Sequence, residues 1–350
     1  MVSSSSLVVQ TSFLGDMVLT TPLIAALARR GPVDVITTPA AAPLLANNPD
    51  VRHLLAYDKR GADRGAAGLV RFARRVRAVR QAAEHATSAY LAQGSIRSAA
   101  LALLVGAGER IGFETSGGRA LYTRRVSYRR DHHHAERLLG LADAGGAAGP
   151  LPPDALRPRL YPGPAERAAV DALLDAPAVI GGALIALAPG SVWATKRWPY
   201  YADLAADLLR RFPSARIALI GSPLDAQFVG TLAGIAGLER VVDATGRLDL
   251  LGSAELIRRA AVLVTNDSAP QHLASAVGTP TVTVFGPTVA EFGFGPLAPG
   301  SVSVGHEALA CRPCDAHGPR TCPLGHWRCM LDLGTAGVGD HVVEIVNARA

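Results

Sequence analysis

Three short segments carry side chains able to do chemistry. In Gln10-Thr11-Ser12-Phe13-Leu14-Gly15-Asp16 a carboxylate follows a turn-forming glycine, just after the apolar triplet Leu7-Val8-Val9. A carboxylate so placed either caps a helix, its commoner use, or takes a proton as a general base at the mouth of a site. In Pro189-Gly190-Ser191-Val192-Trp193-Ala194-Thr195-Lys196, backbone N–H groups, the hydroxyls of Ser191 and Thr195 and an ammonium together suit a phosphate. In Thr265-Asn266-Asp267-Ser268-Ala269-Pro270-Gln271-His272, Asp267 and Ser268 open a helix, where capping and anion binding compete. His272 either faces the same end or is a satisfied core histidine. Asp225, which closes Gly221-Ser222-Pro223-Leu224-Asp225, is a cap or a ligand on the same side.

Lys196 stands out by composition. Of 35 basic residues only Lys59 and Lys196 are lysines, so arginine has been taken wherever either will serve. A lysine kept beside Arg197, just past an apolar run, points to a compact ammonium facing a phosphate or a departing oxyanion. Lys59, in Tyr57-Asp58-Lys59-Arg60, reads as an ordinary surface lysine.

All four cysteines fall in one segment, Cys311-x2-Cys314-x7-Cys322-x6-Cys329, with His317 and His326 as spare ligands. Four thiolates suffice for a tetrahedral zinc or iron, and the clustering favours metal over disulfides in a cytoplasmic chain. The spacing is not that of a double Cys-x2-Cys ribbon, so a structural metal and reduced buried thiols both stand, in either case remote from the chemistry. Asp131-His132-His133-His134 reads as a solvated helix start rather than a metal site, since adjacent histidines on a helix cannot all face one ion.

These segments sit in an alternation of β-branched runs and Ala/Leu/Arg-rich helical stretches. Strands are expected at 7–9, 33–36, 54–57, 89–92, 183–187, 216–220, 262–265 and 281–285. Helices are expected at 17–30, 68–84, 96–105, 201–211, 254–260 and 271–277. That pattern is a doubly wound parallel α/β sheet, met twice. The Gly/Pro-rich stretch near 151–165 reads as a linker between a domain at 1–150 and one at 166–350, the latter carrying the cysteine segment at 311–329. Two Rossmann-like domains place their ligands in a cleft at the strand carboxyl ends.

Hydrophobic residues make up 49% and charged ones 18%, so the chain is globular, and no apolar run reaches a membrane span. The start, Met1 to Ser6, has no cationic n-region, which points to the cytoplasm. The net charge of +6 is concentrated in arginines between residues 60–80 and 119–130 and implies an anionic partner. Aromatics at 5% do not interleave with them, which weighs against single-stranded nucleic acid. No Gly-x-Gly-x-x-Gly, P-loop or Gly-x-Ser-x-Gly elbow occurs, which removes support for nicotinamide, ATPase and α/β-hydrolase chemistry.

The three loops in this order resemble glycosyltransferase family 9, the lipopolysaccharide heptosyltransferases. The resemblance rests on Gly15-Asp16 with Val18-Leu19-Thr20-Thr21-Pro22, on Pro189-Gly190-Ser191 through Lys196-Arg197-Trp198-Pro199, and on Thr265-Asn266-Asp267-Ser268 with His272-Leu273-Ala274, Gly278-Thr279-Pro280 and Phe285-Gly286. Arg110-Ile111-Gly112-Phe113 and Pro323-Leu324-Gly325-His326 fit the heptosyltransferase II branch. The resemblance implies a GT-B fold with the acceptor in the first domain and ADP-heptose in the second. It implies an inverting, metal-independent transfer to the lipopolysaccharide inner core, heptosyl-Kdo2-lipid A, with transient contact at the cytoplasmic face of the inner membrane. On that footing Asp16 is the base and Lys196 steadies the departing diphosphate. Ser191, Thr195, Asp225, Asp267, Ser268 and His272 bind the donor, and Arg97 and Arg110 meet the acceptor. No cofactor is required, and a structural zinc or iron is confined to Cys311, Cys314, Cys322 and Cys329. Two positions depart from the family pattern: Ala269 stands where glycine usually follows Asp-Ser, and Gln10 replaces a basic residue. Two other readings are another nucleotide sugar or acceptor on the same fold and, against the paired Rossmann pattern, a basic nucleic-acid-binding protein with no enzymatic role.

Overall fold

The computed structural model describes residues 5–81, 87–143, 154–175, 182–236 and 240–349. The chain divides into two compact units, residues 1–161 and 162–350.

Unit 1 runs β1 (Ser5–Val9), α1 (Leu14–Ala28), β2 (Val33–Thr37), β3 (His53–Ala56), α2 (Gly65–Gln81), β4 (Thr87–Leu91), α3 (Ile96–Val105), β5 (Glu109–Phe113), β6 (Arg124–Val126) and α4 (His134–Asp143). The strands are parallel in the order β3-β2-β1-β4-β5-β6. Leu7 and Val9 of β1, Ile36 of β2 and Leu91 of β4 pack with Phe72 and Val76 of α2 and Leu101 of α3 in a dry core. A central parallel strand is covered on both faces, so it must be apolar on both, as the fully buried β1 is.

The one carboxylate in β2, Asp34, is fully buried and held by Arg52 through two bonds, at 2.9 and 2.7 Å. Arg80 and His53 lie each 3.0 Å away from it. Arg137 is likewise spent inside the unit, on the carbonyls of Arg129 and Arg130 and the Tyr128 hydroxyl, each at 2.8 Å. Part of the arginine excess that reads as a partner surface in the sequence is therefore scaffold.

Unit 2 runs α5 (Pro164–Leu174), β7 (Leu184–Ala188), α6 (Tyr201–Arg211), β8 (Arg216–Leu219), α7 (Gln227–Ala236), β9 (Val241–Asp243), α8 (Leu250–Arg259), β10 (Val262–Asn266), α9 (Ala269–Val277), β11 (Thr281–Phe285), β12 (Val302–Gly305), α10 (Arg328–Leu331) and α11 (Thr335–Arg349). Its parallel order, β12-β11-β10-β7-β8-β9, is the same winding as in unit 1. Ile185, Leu187, Ile217, Leu219, Val264 and Val282 form its core with Trp198 and Tyr201.

Of the expected linker at 151–165, residues 151–153 lie outside the described residues. Its last two residues are helical instead: Pro164 opens α5, where a missing N–H costs nothing, and Glu166 accepts from the Gly163 N–H at 2.6 Å. Among the described residues no helix is long and apolar enough to cross a membrane.

Candidate active site

In sheets wound this way, ligands meet the carboxyl ends of the strands where the connections diverge: β1 and β4 in unit 1, β7 and β10 in unit 2. Each unit gathers its chemistry-bearing side chains there.

In unit 2 the hub is Asp267, one residue past β10. Lys196 Nζ donates to its Oδ2 at 2.6 Å, and the Thr288 hydroxyl donates to the same oxygen at 2.6 Å. Gln271 Nε2 donates to Oδ1 at 3.0 Å. The lysine and aspartate side chains are only 10% and 11% exposed, so this ion pair is held in a largely dry setting. Fully buried Asn266 joins the two loops: its Nδ2 donates to the Pro189 carbonyl at 2.8 Å and its Oδ1 accepts from the Trp198 N–H at 3.1 Å. Trp198 anchors the lysine loop from below, its indole N–H donating to the Leu333 carbonyl at 2.7 Å.

The other donor-site candidates divide. Ser191 lies in the loop, its hydroxyl accepting from the Trp193 N–H at 3.3 Å. Asp225 accepts from the Ser222 N–H and hydroxyl at 2.8 Å each, a capping contact that also sets its carboxylate over Gly190, where a Cβ would fall 2.7 Å from Oδ2. Ser268 precedes α9 without capping it, its hydroxyl donating back to the Asn266 carbonyl at 3.3 Å. His272 is buried within α9. Thr195 is buried and its hydroxyl is taken by the Pro319 carbonyl.

That last contact corrects the expectation that the cysteine segment stands remote from the chemistry. Gly318 lies against the lysine, and a Cβ there would sit 3.2 Å from Lys196 Cε. Within the segment Cys311 Sγ lies 3.8 Å from His326 Nε2. Burial pushes the Cys329 thiol up to about 11. Burial also works against Cys322, yet the N–H groups of Trp327, Leu324, His326 and Gly325 bring its thiol below the ordinary value. Among the described residues no three His, Cys, Asp or Glu side chains are arranged to hold a metal ion.

In unit 1 Asp16 occupies the third position of α1. Its Oδ2 accepts from the Ser12 hydroxyl and from the Phe13 N–H at 3.4 Å, the capping geometry weighed from sequence. Its Oδ1 lies 3.9 Å from Nε2 of His134, the first residue of α4. Burial dominates the titration of His134 and pushes it down to about 4, against the upward pull of Asp16, so the ring is neutral at pH 7. Gln10 sets the loop, accepting from the Ser12 N–H at 3.3 Å and donating to the Thr20 hydroxyl at 3.2 Å.

Lys59 is not an idle surface lysine: its Nζ donates to the Thr11 carbonyl at 2.6 Å, and burial, then Arg60 and Arg97, lower its pKa. Arg97, in the first turn of α3, donates to the Lys59 carbonyl at 3.3 Å and so joins this end of the sheet. Arg110 does not. It lies level with Ala89 in β4, and its guanidinium donates to the carbonyls of Leu121 and Ala107 at 2.7 Å each, towards the opposite end.

Sequence reasoning missed Asn266, Gln271, Thr288, Ser12 and the role of His134. Asn266 and Gln271 stand inside the motif already singled out, and only spacing to a partner loop would have marked them.

The family model described as "Glycosyltransferase family 9 (heptosyltransferase)" matches residues 71–327. Lipooligosaccharide heptosyltransferase 2 of Haemophilus influenzae is 27% identical over 82% of this chain and 84% of its own length. Lipopolysaccharide heptosyltransferase 1 of Pseudomonas aeruginosa is 35% identical over 41% of this chain, a match spanning 39% of that protein. The solved structure of Escherichia coli ADP-heptose lipopolysaccharide heptosyltransferase II superposes with a TM-score of 0.78 at 22% identity, over 99% of both chains. With two six-stranded parallel sheets of identical winding and a family match over most of its length, the chain belongs to glycosyltransferase family 9 and is a glycosyltransferase of GT-B fold.

Proposed function

We propose that the protein transfers heptose, with inversion, from ADP-L-glycero-D-manno-heptose to the inner core of lipopolysaccharide, in the manner of a heptosyltransferase II. The observation that carries this is the buried Lys196–Asp267 pair at the ends of β7 and β10, in a chain of this family. The names of its Haemophilus and E. coli relatives support the sugar and the acceptor class. Unit 2, residues 166–350 in the sequence reading, takes the donor, and unit 1 takes the acceptor.

In the reaction an acceptor hydroxyl oxygen bonds to the anomeric carbon while the bond from that carbon to the diphosphate oxygen breaks. Asp16 receives the hydroxyl proton, with Ser12 and the Phe13 N–H holding Oδ2 and leaving Oδ1 to act. Lys196 uses one N–H on Asp267 and turns the others to the charge building on ADP. Asp267 keeps that ammonium aimed. Ser191, Asp225, Ser268 and His272 complete the donor side, and Thr195 acts through its tie to Pro319. Arg97, with Lys59 and Arg60, faces the anionic acceptor. Arg110 belongs to the scaffold by its contacts.

Incubation with ADP-heptose and heptosyl-Kdo2-lipid A tests the reading: ADP release with heptose gained by the acceptor is expected. Release of the matching nucleoside diphosphate from another nucleotide sugar alone would favour the second reading, which Ala269 motivates, since its methyl at the start of α9 narrows the approach of a diphosphate.

The reaction takes place at the cytoplasmic face of the inner membrane. Exposed Arg71, Arg74 and Arg77 along α2 supply a transient electrostatic contact, to be read as salt-sensitive binding to anionic vesicles. The catalytic steps call for no cofactor. A structural zinc or iron on Cys311, Cys314, Cys322 and Cys329 stays in the proposal on the clustering of the cysteines in sequence alone, and it requires these thiols to draw together, since among the described residues no three ligands are arranged around an ion. Stoichiometric metal in purified protein is expected, and freely titratable thiols without metal would remove it.

A further inference from the structure

The cysteine-rich segment reaches the Lys196–Asp267 pair by two separate routes. On the first, Arg312, one residue past Cys311, spends its guanidinium on three carbonyls at and just beyond the end of β11. Its Nε donates to Gly286, and its Nη2 donates to Phe285 at 2.9 Å and Thr288 at 3.1 Å. The Cys314 N–H donates to the Pro287 carbonyl at 2.8 Å, on the same stretch. A fork of five fixed donors suits such a cluster of carbonyls, which a point charge would not gather. Thr288, held this way through its backbone, donates its hydroxyl to Asp267 Oδ2 at 2.6 Å.

On the second route, Gly318 and Pro319 lie against the lysine loop. The Thr195 hydroxyl donates to the Pro319 carbonyl. Gly318, at φ +80°, is in the left-handed region that glycine alone enters freely. A Cβ there would stand 3.2 Å from Lys196 Cε and 3.0 Å from Pro287 Cγ. Both faces of the ion pair, the carboxylate through Thr288 and the ammonium through its own methylene, are thus set by one segment. A zinc finger or redox appendage standing clear of the chemistry would need neither contact.

We infer that the segment 311–329 is a wall of the donor site, in which Arg312 and Gly318 are positioning residues for Asp267 and Lys196. The inference rests on the proposed reading of Lys196 as the group that meets the departing diphosphate.

The test is a double-mutant cycle on the full chain, with steady-state rates and calorimetric titration of ADP. Gly318→Ala should lower kcat by about tenfold or more while leaving the acceptor KM within about twofold, because it displaces a group acting on the leaving oxygen. In a Lys196→Ala background the same change should lower kcat by less than about twofold, since the group it displaces is gone. Thr195→Val, which keeps the shape and removes the tie to Pro319, should show the same masking and serves if Gly318→Ala fails to fold. For the other route, Arg312→Gln should lose its effect on ADP affinity once Thr288→Val is present. Full multiplication of the effects in these cycles, or parental kcat in both Gly318→Ala and Thr195→Val, overturns the inference and leaves the reading of Lys196 intact. Parental activity in Lys196→Ala itself instead removes that reading, and the inference with it.

Discussion

The two units wind six parallel strands in the same order and place their candidate site residues at the same topological point, yet they surround a carboxylate in opposite ways. Asp267 accepts from three side chains, Lys196, Thr288 and Gln271, and is 11% exposed. Asp16 accepts from one hydroxyl and one backbone N–H, is 20% exposed, and faces a neutral imidazole rather than a cation. A carboxylate saturated by donors is a fixture that fixes something else. One left partly unsatisfied, without a cationic partner, has an oxygen open to a substrate hydroxyl. The sheet decides where a loop emerges, and a handful of loop side chains decide how fully its acid is satisfied.

The sharpest way to break this contrast is to remove each acid's partner role in turn. Asp16→Ala should lower kcat by about a thousandfold, the usual worth of a positioned base, while ADP still binds with parental affinity in calorimetry. Loss of ADP affinity in that variant would place Asp16 among the structural carboxylates. Lys196→Arg, which puts the chain's prevailing cation in place of its rare lysine, should cost about a hundredfold in kcat with the ADP complex retained, because the planar fork cannot hold Asp267 and the leaving oxygen together. Parental turnover there would erase the distinction between the two ends.

Stability measurements sharpen the same comparison. His134 titrates near 4 in the folded chain against an ordinary 6.5. Between those values the unfolded chain binds a proton that the native one does not, so stability rises with pH across this window. The contribution is complete above pH 6.5 and is lost as pH falls towards 4; it amounts to at most about 3 kcal/mol. His134→Gln should flatten that part of the denaturation-versus-pH curve, and an unchanged slope would mean the ring is already charged beside Asp16. In unit 2, Asn266→Leu removes two buried hydrogen bonds between the loops and should lower stability by about 2 kcal/mol without any pH dependence in the same window.

Period and turn chemistry made much of this fold readable. Helix 201–211 and strand 281–285 fall where apolar spacing puts them, and strands 7–9 and 262–265 miss by two residues and one. What escaped is instructive. β6 and β9 have three residues each, too few for an alternating pattern to declare itself. α11 carries Gly337 and Gly339 in its body, and Gly339 sits close against Asp207 of α6, so packing rather than propensity makes the helix.

Among the candidate site residues, the placement of Lys196, Asp267 and Asp16 was legible because their loops follow strands. Thr288 and Arg312 were not, since their bonds join segments 21 and 24 residues apart or more through geometry that no local spacing records. Lys59 was misread for the same reason: its partner, the Thr11 carbonyl, lies 48 residues away.

The tryptophans have an experimental use. The chain has three, Trp193, Trp198 and Trp327, and none falls in unit 1. Trp193 and Trp198 flank the lysine, the latter stacked edge-on against Tyr200 and Tyr201, and Trp327 lends its N–H to Cys322. Emission excited at the red edge, where tryptophan absorbs and the seven tyrosines do not, is therefore an optical record of unit 2 alone. Titrated with nucleotide under that excitation, it tests without a label whether the nucleotide binds unit 2, because unit 1 has no tryptophan to contribute.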